Sequence, residues 1–434
     1  MQSLKMKLLF TVSILIGAVI FGQCAFAQQN NELAAVSLPA IINPTEVAHK
    51  PAPYEDRVHK PTPYEDSLKQ KDILDVIAHL RGRERVMKLD SITSKPTISY
   101  IPAIGYTLVS KLAIVLSGNA AFRTGPESRI STVVVSSSVT QRRQFTLPIQ
   151  TNIWSKNNTY NFVGDYRLFK YPQSTFGLGS NSNIDNEDPM DYSYFQFYET
   201  VLRHITGNIY AGAGYIVDDH WNVSDHGNYN GMVSDYSVYG KTSHSVASGF
   251  TINALLDSRN SAINASKGAY ISLQYRDNYS FLGSTIPWRS LIVDVRKYIK
   301  FPASSDNVLA LWSFDWLILN GRPAYLDLPS TQWDESSATG RGYIQGRFRG
   351  ADMVYAEAEY RYRITDNGLI GGTVFLNGES LSTAPGSKLQ SIQPGFGPGL
   401  RVKLSKLSNT NISIDYGFGR QGSNGLFIDV GEIF

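Results

Sequence analysis

Two hydrophilic stretches of the sequence contain residue types that could carry out acid–base or metal chemistry. DDHWNVSDH (218–226) gathers three aspartates and two histidines, and a pair such as Asp219 and His220 could serve a hydrolase as general base and orienting group. IDNEDPMD (184–191) could attract a cation weakly, but it lacks the spaced glycine and terminal glutamate of a calcium loop. We interpret both as solvated loops between strands, and we predict no metal, no cofactor and no enzymatic activity.

The first 27 residues have the pattern of a secretory signal peptide. A basic start and an apolar run at 8–21 precede a small-x-small cleavage site at 25–27. Cys24 is the only cysteine, and it follows Gln23 rather than the small residue of a lipoprotein signal. Cleavage after residue 27 would leave a cysteine-free chain, which excludes disulfides and cysteine-metal sites.

The charge of the mature chain is close to neutral. The sequence has 40 basic and 37 acidic residues, and removal of Lys5 and Lys7 with the signal peptide leaves 38 basic ones. A nucleic-acid-binding protein would show a clear basic excess, so we predict no nucleic-acid partner. No later segment reaches the roughly 18 consecutive apolar residues of a spanning helix. The mature chain is therefore either soluble or spans a membrane as a β-barrel.

Residues 28–96 are rich in proline and lack alternating aromatics. They contain a tandem decapeptide, HKPAPYEDRV (49–58) and HKPTPYEDSL (59–68), with seven of ten positions identical. Proline and charge at this density favour an extended linker, which is either a plain spacer or a tether that binds a periplasmic partner through 49–68. Residues 70–87 have the apolar spacing of one short helix, which would either dock at the mouth of the next domain or stay solvated.

From about residue 97 to Phe434 the side chains alternate with a period of two, which is typical of β-strands. In MVYAEAEYRYRI (353–364) one face is apolar and the other carries Glu357 and Glu359. In 311–318 the aromatic residues Trp312, Phe314 and Trp316 alternate with Ser313 and Asp315, which we interpret as an apolar outer face and an inward Asp315. The other charged residues that we place inward are Asp294, Arg296, Arg361, Arg363, Arg401, Lys403 and Asp415.

The predicted fold is all-β: a transmembrane antiparallel β-barrel of about 16 strands at 97–434. It follows a signal peptide (1–27) and a periplasmic linker with a short helix (28–96). An even strand count and aromatics near strand ends are typical of bacterial outer-membrane barrels. The final strand also ends in an aromatic residue, and we expect a C-terminal assembly signal with one shared face, interrupted only by Glu432; its residues are Leu426, Ile428, Val430 and Phe434.

One long segment between two strong strands, 326–350, carries the sequence Gly340-Arg341-Gly342-Tyr343. This resembles the inward-folded loop of the BamA/TamA superfamily of outer-membrane barrels (the bacterial surface antigen family). In that family the arginine of an Arg-Gly-aromatic tip contacts the inner barrel wall, and the resemblance gives that role to Arg341, Gly342 and Tyr343. A guanidinium can pair with carboxylates in bidentate geometry, and glycine permits the tight turn beside it.

Other stretches resemble the same family in the same order along the chain. They are PAIGYTLVSK (102–111), FKYPQSTFGLGSN (169–181), ALLDSRNSAINASKGAYISL (254–273) and the last three strands. Two departures stand out. The wall aspartate that usually receives the loop arginine is replaced by Asn377, so we expect Glu357 or Glu359 to take its place. Residues 28–96 are also too few for the periplasmic POTRA domains of the founding members, which makes this chain similar to the short members.

Two functions follow from the resemblance. The first is a barrel that assists insertion or translocation of protein or lipid at the outer membrane, with a weak seam between the first and last strands and a loop lock in the lumen. The second is a passive channel or structural barrel that shares the fold; a barrel hydrolase is a distant third. The implied location is the bacterial outer membrane, and the implied partners are outer-membrane lipid and the barrel assembly machinery during biogenesis.

Overall fold

The computed structural model describes residues 70–80, 82, 96–107, 109–406 and 409–434. The predicted signal peptide, the tandem decapeptide and most of the linker lie outside these residues. None of the helices found in the described residues is long and apolar enough to cross a membrane.

The described chain forms one antiparallel sheet from seventeen strand segments. They are β1 Thr97–Thr107, β2 Lys111–Phe122, β3 Ser131–Thr140, β4 Phe145–Trp154, β5 Tyr160–Lys170, β6 Gln173–Thr175, β7 Asp188–Thr206, β8 Ile209–Asp225, β9 His244–Asp257, β10 Gly268–Asn278, β11 Trp288–Lys300, β12 Val308–Gly321, β13 Asp352–Arg363, β14 Ile370–Leu381, β15 Gln393–Ser405, β16 Thr410–Phe418 and β17 Asn424–Val430. Because β5 and the short β6 both pair with β7, the sheet has sixteen strand positions. The prediction of an all-β barrel with about 16 strands is confirmed.

Apart from β5 and β6, which both pair with β7, each strand pairs with its neighbour in sequence, so the barrel is a continuous series of hairpins. Strands β1 and β17 lie next to each other where the barrel closes. Among the described residues, no ladder of backbone hydrogen bonds joins this pair, although one joins every other neighbouring pair. The closing strand β17 is also short, at seven residues. The seam is thus the least hydrogen-bonded boundary in the described sheet.

The two faces of the sheet differ in polarity as the alternation predicts for most strands. On β13, Glu357 and Glu359 are buried inside the barrel, while Ala356 and its neighbours on the other face point outward. Large apolar side chains are exposed along the outer face of many strands, among them Leu112, Ile114, Leu116, Phe250, Ile252, Val374, Leu376 and Phe396. An apolar outer face around a polar interior is the pattern of a barrel that faces lipid.

Strand β12 is oriented the opposite way from its prediction. In register, Phe314 pairs with Asp294 of β11 and Tyr355 of β13, both inward residues, so Trp312, Phe314 and Trp316 face the lumen. Asp315 lies on the outer face between Val293 and Val354. Trp312 and Phe314 are buried and Trp316 is half-buried, because a loop fills the lumen at this level and packs apolar side chains against them.

In the part of the chain that the structure describes, two short α-helices accompany the barrel: α1 Ile73–Leu80 and α2 Asp235–Tyr239, which lies between β8 and β9. Helix α1 falls within the predicted helix at 70–87 and docks on the barrel. Lys406 Nζ lies 2.7 Å from Asp75 Oδ2, and the Lys71 amide donates to Asn367 O at 2.9 Å. Both contacts are at turns on the end of the barrel where β1 begins and β17 ends, which we call the terminal end; the opposite end is the loop end.

Candidate functional site

The connection between β12 and β13, residues 322–351, folds back into the barrel and is called the lumen loop. Nearly all of its residues from Leu328 to Ala351 are buried or half-buried. A buried loop must satisfy its own backbone polar groups. It does so partly by pairing with itself, since the Thr331 amide donates to Phe348 O and the Gly350 amide to Pro329 O, each at 3.0 Å. The lumen loop is therefore an ordered insert rather than a solvated connection.

Arg341 lies at the centre of an ionic cluster between the lumen loop and the barrel wall. Its Nη2 contacts Glu357 and lies 2.5 Å from Glu359 Oε2, both on β13, and its Nη1 lies 2.6 Å from Asp415 Oδ2 on β16. The guanidinium carbon also stands 3.8 Å from the ring centroid of Phe375. One side chain thus connects three parts of the filled lumen: the loop, β13 and β16.

The cluster extends through two more arginines of the wall. Arg361 Nε donates to Glu359 Oε1 at 2.6 Å, and Arg401 Nη1 donates to Asp415 Oδ1 at 2.5 Å. Arg401 also pairs with Glu432 at 2.8 Å. The cluster thus contains three arginines and four carboxylates, all almost completely buried. Charges at such positions are tolerated only when they are paired and hydrogen-bonded.

Gly342 and Tyr343 complete the tip of the lumen loop. Gly342 has a φ of +108°, and a Cβ there would stand 2.7 Å from Phe418 O, so only glycine fits. Gly417 of β16 gives room from the other side, because a Cβ on it would meet the Gly342 nitrogen at 2.6 Å. The hydroxyl of Tyr343 donates to Pro394 O at 2.6 Å and accepts from the Arg420 amide at 3.0 Å.

Asn377 holds the backbone of the tip rather than the guanidinium. Its Nδ2 donates to Arg341 O at 3.0 Å, whereas the guanidinium is directed to Glu357 and Glu359. Glu379 of β14 accepts from the Thr331 hydroxyl at 3.1 Å. The structure therefore brings the six predicted lumen residues together: Arg341, Gly342, Tyr343, Glu357, Glu359 and Asn377. Asn377 contacts the backbone of the loop tip, and the two glutamates contact the guanidinium.

Four members of this cluster, Arg361, Arg401, Asp415 and Glu432, are not among the contacts that the sequence predicts. The alternation places Arg361, Arg401 and Asp415 inward without a partner, and Glu432 only interrupts an apolar face. The one available signal is the pair of glycines at 417 and 419 directly after Asp415, which marks a close approach of another segment.

The predicted C-terminal face needs a correction. Leu426, Ile428 and Val430 pair in register with outward residues of β16, but the chain leaves the sheet after Val430. Phe434 is only 6% exposed and packs inside the barrel, with ring centroids 5.1 Å from Trp312 and 6.4 Å from Tyr298. Gly431, at a φ of +127°, makes the turn that moves the last residues off the outer face.

DDHWNVSDH also differs from its prediction. Residues up to Asp225 belong to β8 and are not a loop. Asp219 and His220 point to opposite faces: Asp219 contacts His244 at 2.8 Å, while the buried His220 lies 3.3 Å from Asp327 of the lumen loop. The two residues therefore cannot form the dyad considered for a hydrolase. Within the described region, no three His, Cys, Asp or Glu side chains group as metal ligands.

The lumen loop and the sixteen-position barrel define the class: a β-barrel of the outer-membrane type with an inward-folded loop. No family model and no curated protein matches the sequence. Among solved structures, BamA from Haemophilus ducreyi lacking POTRA domains 1–3 is similar, with a TM-score of 0.52 and 12% identity over 78% of this chain and 70% of that chain. CdiB from Escherichia coli has a TM-score of 0.51 and 10% identity over 77% and 67%. At this identity the likeness concerns the fold alone.

Proposed function

We propose that this chain is an outer-membrane barrel of the BamA/TamA superfamily that assists insertion or translocation of protein or lipid at the outer membrane. The observation that carries the proposal is the position of Arg341. It fastens the lumen loop to β13 and β16, beside a seam between β17 and β1 that has no hydrogen-bond ladder among the described residues.

The proposed mechanism divides the barrel into a rigid part and a part that opens. The cluster around Arg341 holds β13 to β16 together from inside, so that separation of β17 from β1 would not collapse the wall. Opening the seam would expose strand edges, which present unpaired N–H and C=O groups to an incoming chain. In this role the protein is not an enzyme and binds no cofactor.

We also propose a location and partners for this chain. Residues 1–27 would direct export and then be removed, and residues 28–96 would lie in the periplasm, where 49–68 could bind a partner. The outward apolar side chains would contact outer-membrane lipid, and the barrel assembly machinery would insert the strands during biogenesis.

Depletion of the protein in its host tests this function. We expect several other barrels to decrease in the outer membrane, and we expect Glu127→Gln, a change in an exposed turn, to restore them on complementation. Arg341→Ala should restore them poorly. Unchanged levels of other barrels after depletion would contradict an assembly role.

A passive channel is the second candidate, because the lumen loop leaves a cavity on the side of the barrel away from Arg341. In that case depletion would leave barrel levels unchanged and alter the uptake of small solutes. Single-channel conductance of the purified protein in a planar bilayer would then fall when the cavity is filled by a larger side chain, for example in Ser290→Trp.

A further inference from the structure

The lumen contains a cavity of about 230 Å³ between the wall formed by β5 and β7–β12 and the lumen loop. The loop covers it with two segments, Leu326–Leu328 and 333–335. The cavity is separate from the ionic cluster around Arg341, whose residues are absent from its lining. Its volume is several times the ~30 Å³ that one water molecule occupies in the liquid, so it has room for a small organic molecule.

The charges around the cavity are not balanced. Six carboxylates and three guanidiniums line it. Each arginine is already paired with one aspartate, at 2.6 Å for Arg167–Asp165, 2.6 Å for Arg276–Asp218 and 2.7 Å for Arg296–Asp294. An anionic ligand would have to displace these aspartates, so the cavity disfavours anions.

The three remaining carboxylates belong to the lumen loop. Asp334 is occupied, because it accepts from the amides of Ala338 and Thr339 at 3.0 and 2.9 Å. Asp327 lies beside His220, and its Oδ1 has no hydrogen bond within the described residues. Glu335 is exposed and lines the cavity, and its carboxyl group has no ion pair or hydrogen bond within the described residues. Carboxyl oxygens without a hydrogen-bond donor in the described part of the chain therefore lie at the cover of the cavity.

The wall, together with Trp333 of the cover, supplies aromatic surfaces, and the wall supplies an acceptor for N–H groups. Tyr198, Tyr270, Trp316 and Trp333 line the cavity, and ring faces attract cations. The hydroxyl of Ser290, a residue only 1% exposed, also lines it and has no hydrogen-bond partner among the described residues. Carboxylates, ring faces and a hydroxyl acceptor together fit the three N–H donors and the apolar stem of an aliphatic ammonium.

We propose that this cavity binds a small aliphatic amine, with Glu335 as the main counter-ion and Asp327 and Ser290 as acceptors. The stem of the amine lies against Trp316 and Trp333. The inference goes beyond the proposed role in membrane assembly and does not depend on it, because the cavity lies away from the seam and from Arg341.

Calorimetric titration of the full-length protein in detergent tests the proposal, with 1,4-diaminobutane as the probe. We expect saturable binding, accompanied by a change in tryptophan emission from Trp316 and Trp333. The neutral 1,4-butanediol, which has the same chain length, should bind at least tenfold more weakly. Equal affinity for the diol, or no saturable binding of the diamine up to about 10 mM, would overturn the proposal.

Glu335→Gln separates a specific counter-ion from general charge attraction. The residue is exposed, so the substitution should leave the fold intact, which the usual gel shift of a folded barrel on heating checks. We expect the affinity for the diamine to fall at least tenfold, while Glu127→Gln, which removes a carboxylate from an exposed turn, leaves it unchanged. An affinity of Glu335→Gln equal to that of the wild type would overturn the assignment.

Discussion

The two sides of the lumen use the same residue types in different ways. On the side of β13–β16, the filled half, Arg341 pairs with Glu357, Glu359 and Asp415, which lie 16 to 74 positions away in sequence. On the side of β5–β12, the cavity half, Arg167 and Arg296 pair with acids two positions away on their own strands, and among the three cavity arginines only Arg276 reaches another strand, at Asp218. Pairs within one strand line a wall, whereas pairs between distant segments hold segments together.

The largest expected effect concerns Arg341. Arg341→Ala leaves Glu357, Glu359 and Asp415 buried without their shared cation, and breaking a buried ionic pair costs about 3–5 kcal/mol. We expect a marked drop in the temperature at which the purified barrel unfolds, measured by the change in gel mobility on heating. Arg296→Ala is the matched control. In this variant Asp294 still accepts a hydrogen bond from the Trp312 indole N–H, at 3.0 Å, and it faces the cavity.

The two variants should differ in their unfolding temperatures if the two halves of the lumen differ as described. We expect Arg296→Ala to cost no more than about 2 kcal/mol, the scale of hydrogen bonds to a charged group. Equal unfolding temperatures for the two variants would show that the long-range pairs hold the barrel no more firmly than the same-strand pairs do.

The next effect concerns Phe434 in the filled half. Its ring is packed against Trp312 and Tyr298, so Phe434→Ala should create a cavity and destabilise the folded barrel by about 3 kcal/mol. Val430→Ala is the control, since Val430 is 47% exposed on the outer face of the same segment. Unfolding of purified, already assembled protein is the measurement, which separates stability from biogenesis. If both variants unfold at the wild-type temperature, the inward packing of Phe434 contributes nothing.

The sequence predicts the barrel well where one face of a strand is charged. On β13, Glu357 and Glu359 alternate with alanines, and the structure orients the strand as expected. On β12 both faces are largely apolar, and alternation alone cannot say which face is inward. The orientation depends on the lumen loop, whose Tyr343 and Phe348 pack in the same apolar cluster as Trp312 and Phe314.

Where a strand is long, its polar end is wrongly predicted as a loop. The hairpin β7–β8 has strands of 19 and 17 residues, well beyond the roughly 9–11 residues that cross a bilayer. The excess at the loop end is hydrophilic, so 218–226 has the composition of a loop although most of it is strand. The ion pairs of Asp415 and Glu432 could not be predicted for a different reason. Contacts between segments far apart in the chain leave no periodic pattern in the sequence.

A smaller effect concerns the close approach of the lumen loop to β16. Gly342→Ala forces a Cβ against Phe418 O in a backbone conformation that alanine rarely adopts, at a cost of about 1–3 kcal/mol. Gly386→Ala is the control, because Gly386 also has a positive φ, +67°, but a Cβ on it would meet no atom within 4 Å. A larger drop in unfolding temperature for Gly342→Ala would assign the difference to the contact. Equal drops would mean that the tip can shift away from β16.

The smallest effect concerns helix α1, which docks at the terminal end of the filled half through Lys406 and Asp75. Lys406→Gln removes one ion pair between largely buried side chains, 10% and 16% exposed, and this pair joins the helix to a turn rather than one strand to another. The barrel itself should therefore unfold close to the wild-type temperature. Undocking should instead accelerate tryptic cleavage between α1 and β1 by a few-fold. Lys300→Gln removes an exposed pair with Asp306 at a terminal turn of the cavity half and should leave that cleavage rate unchanged. Equal acceleration by both variants would show that cleavage reports the general loss of charge at the terminal end, and the filled half would then have no special part in holding the helix.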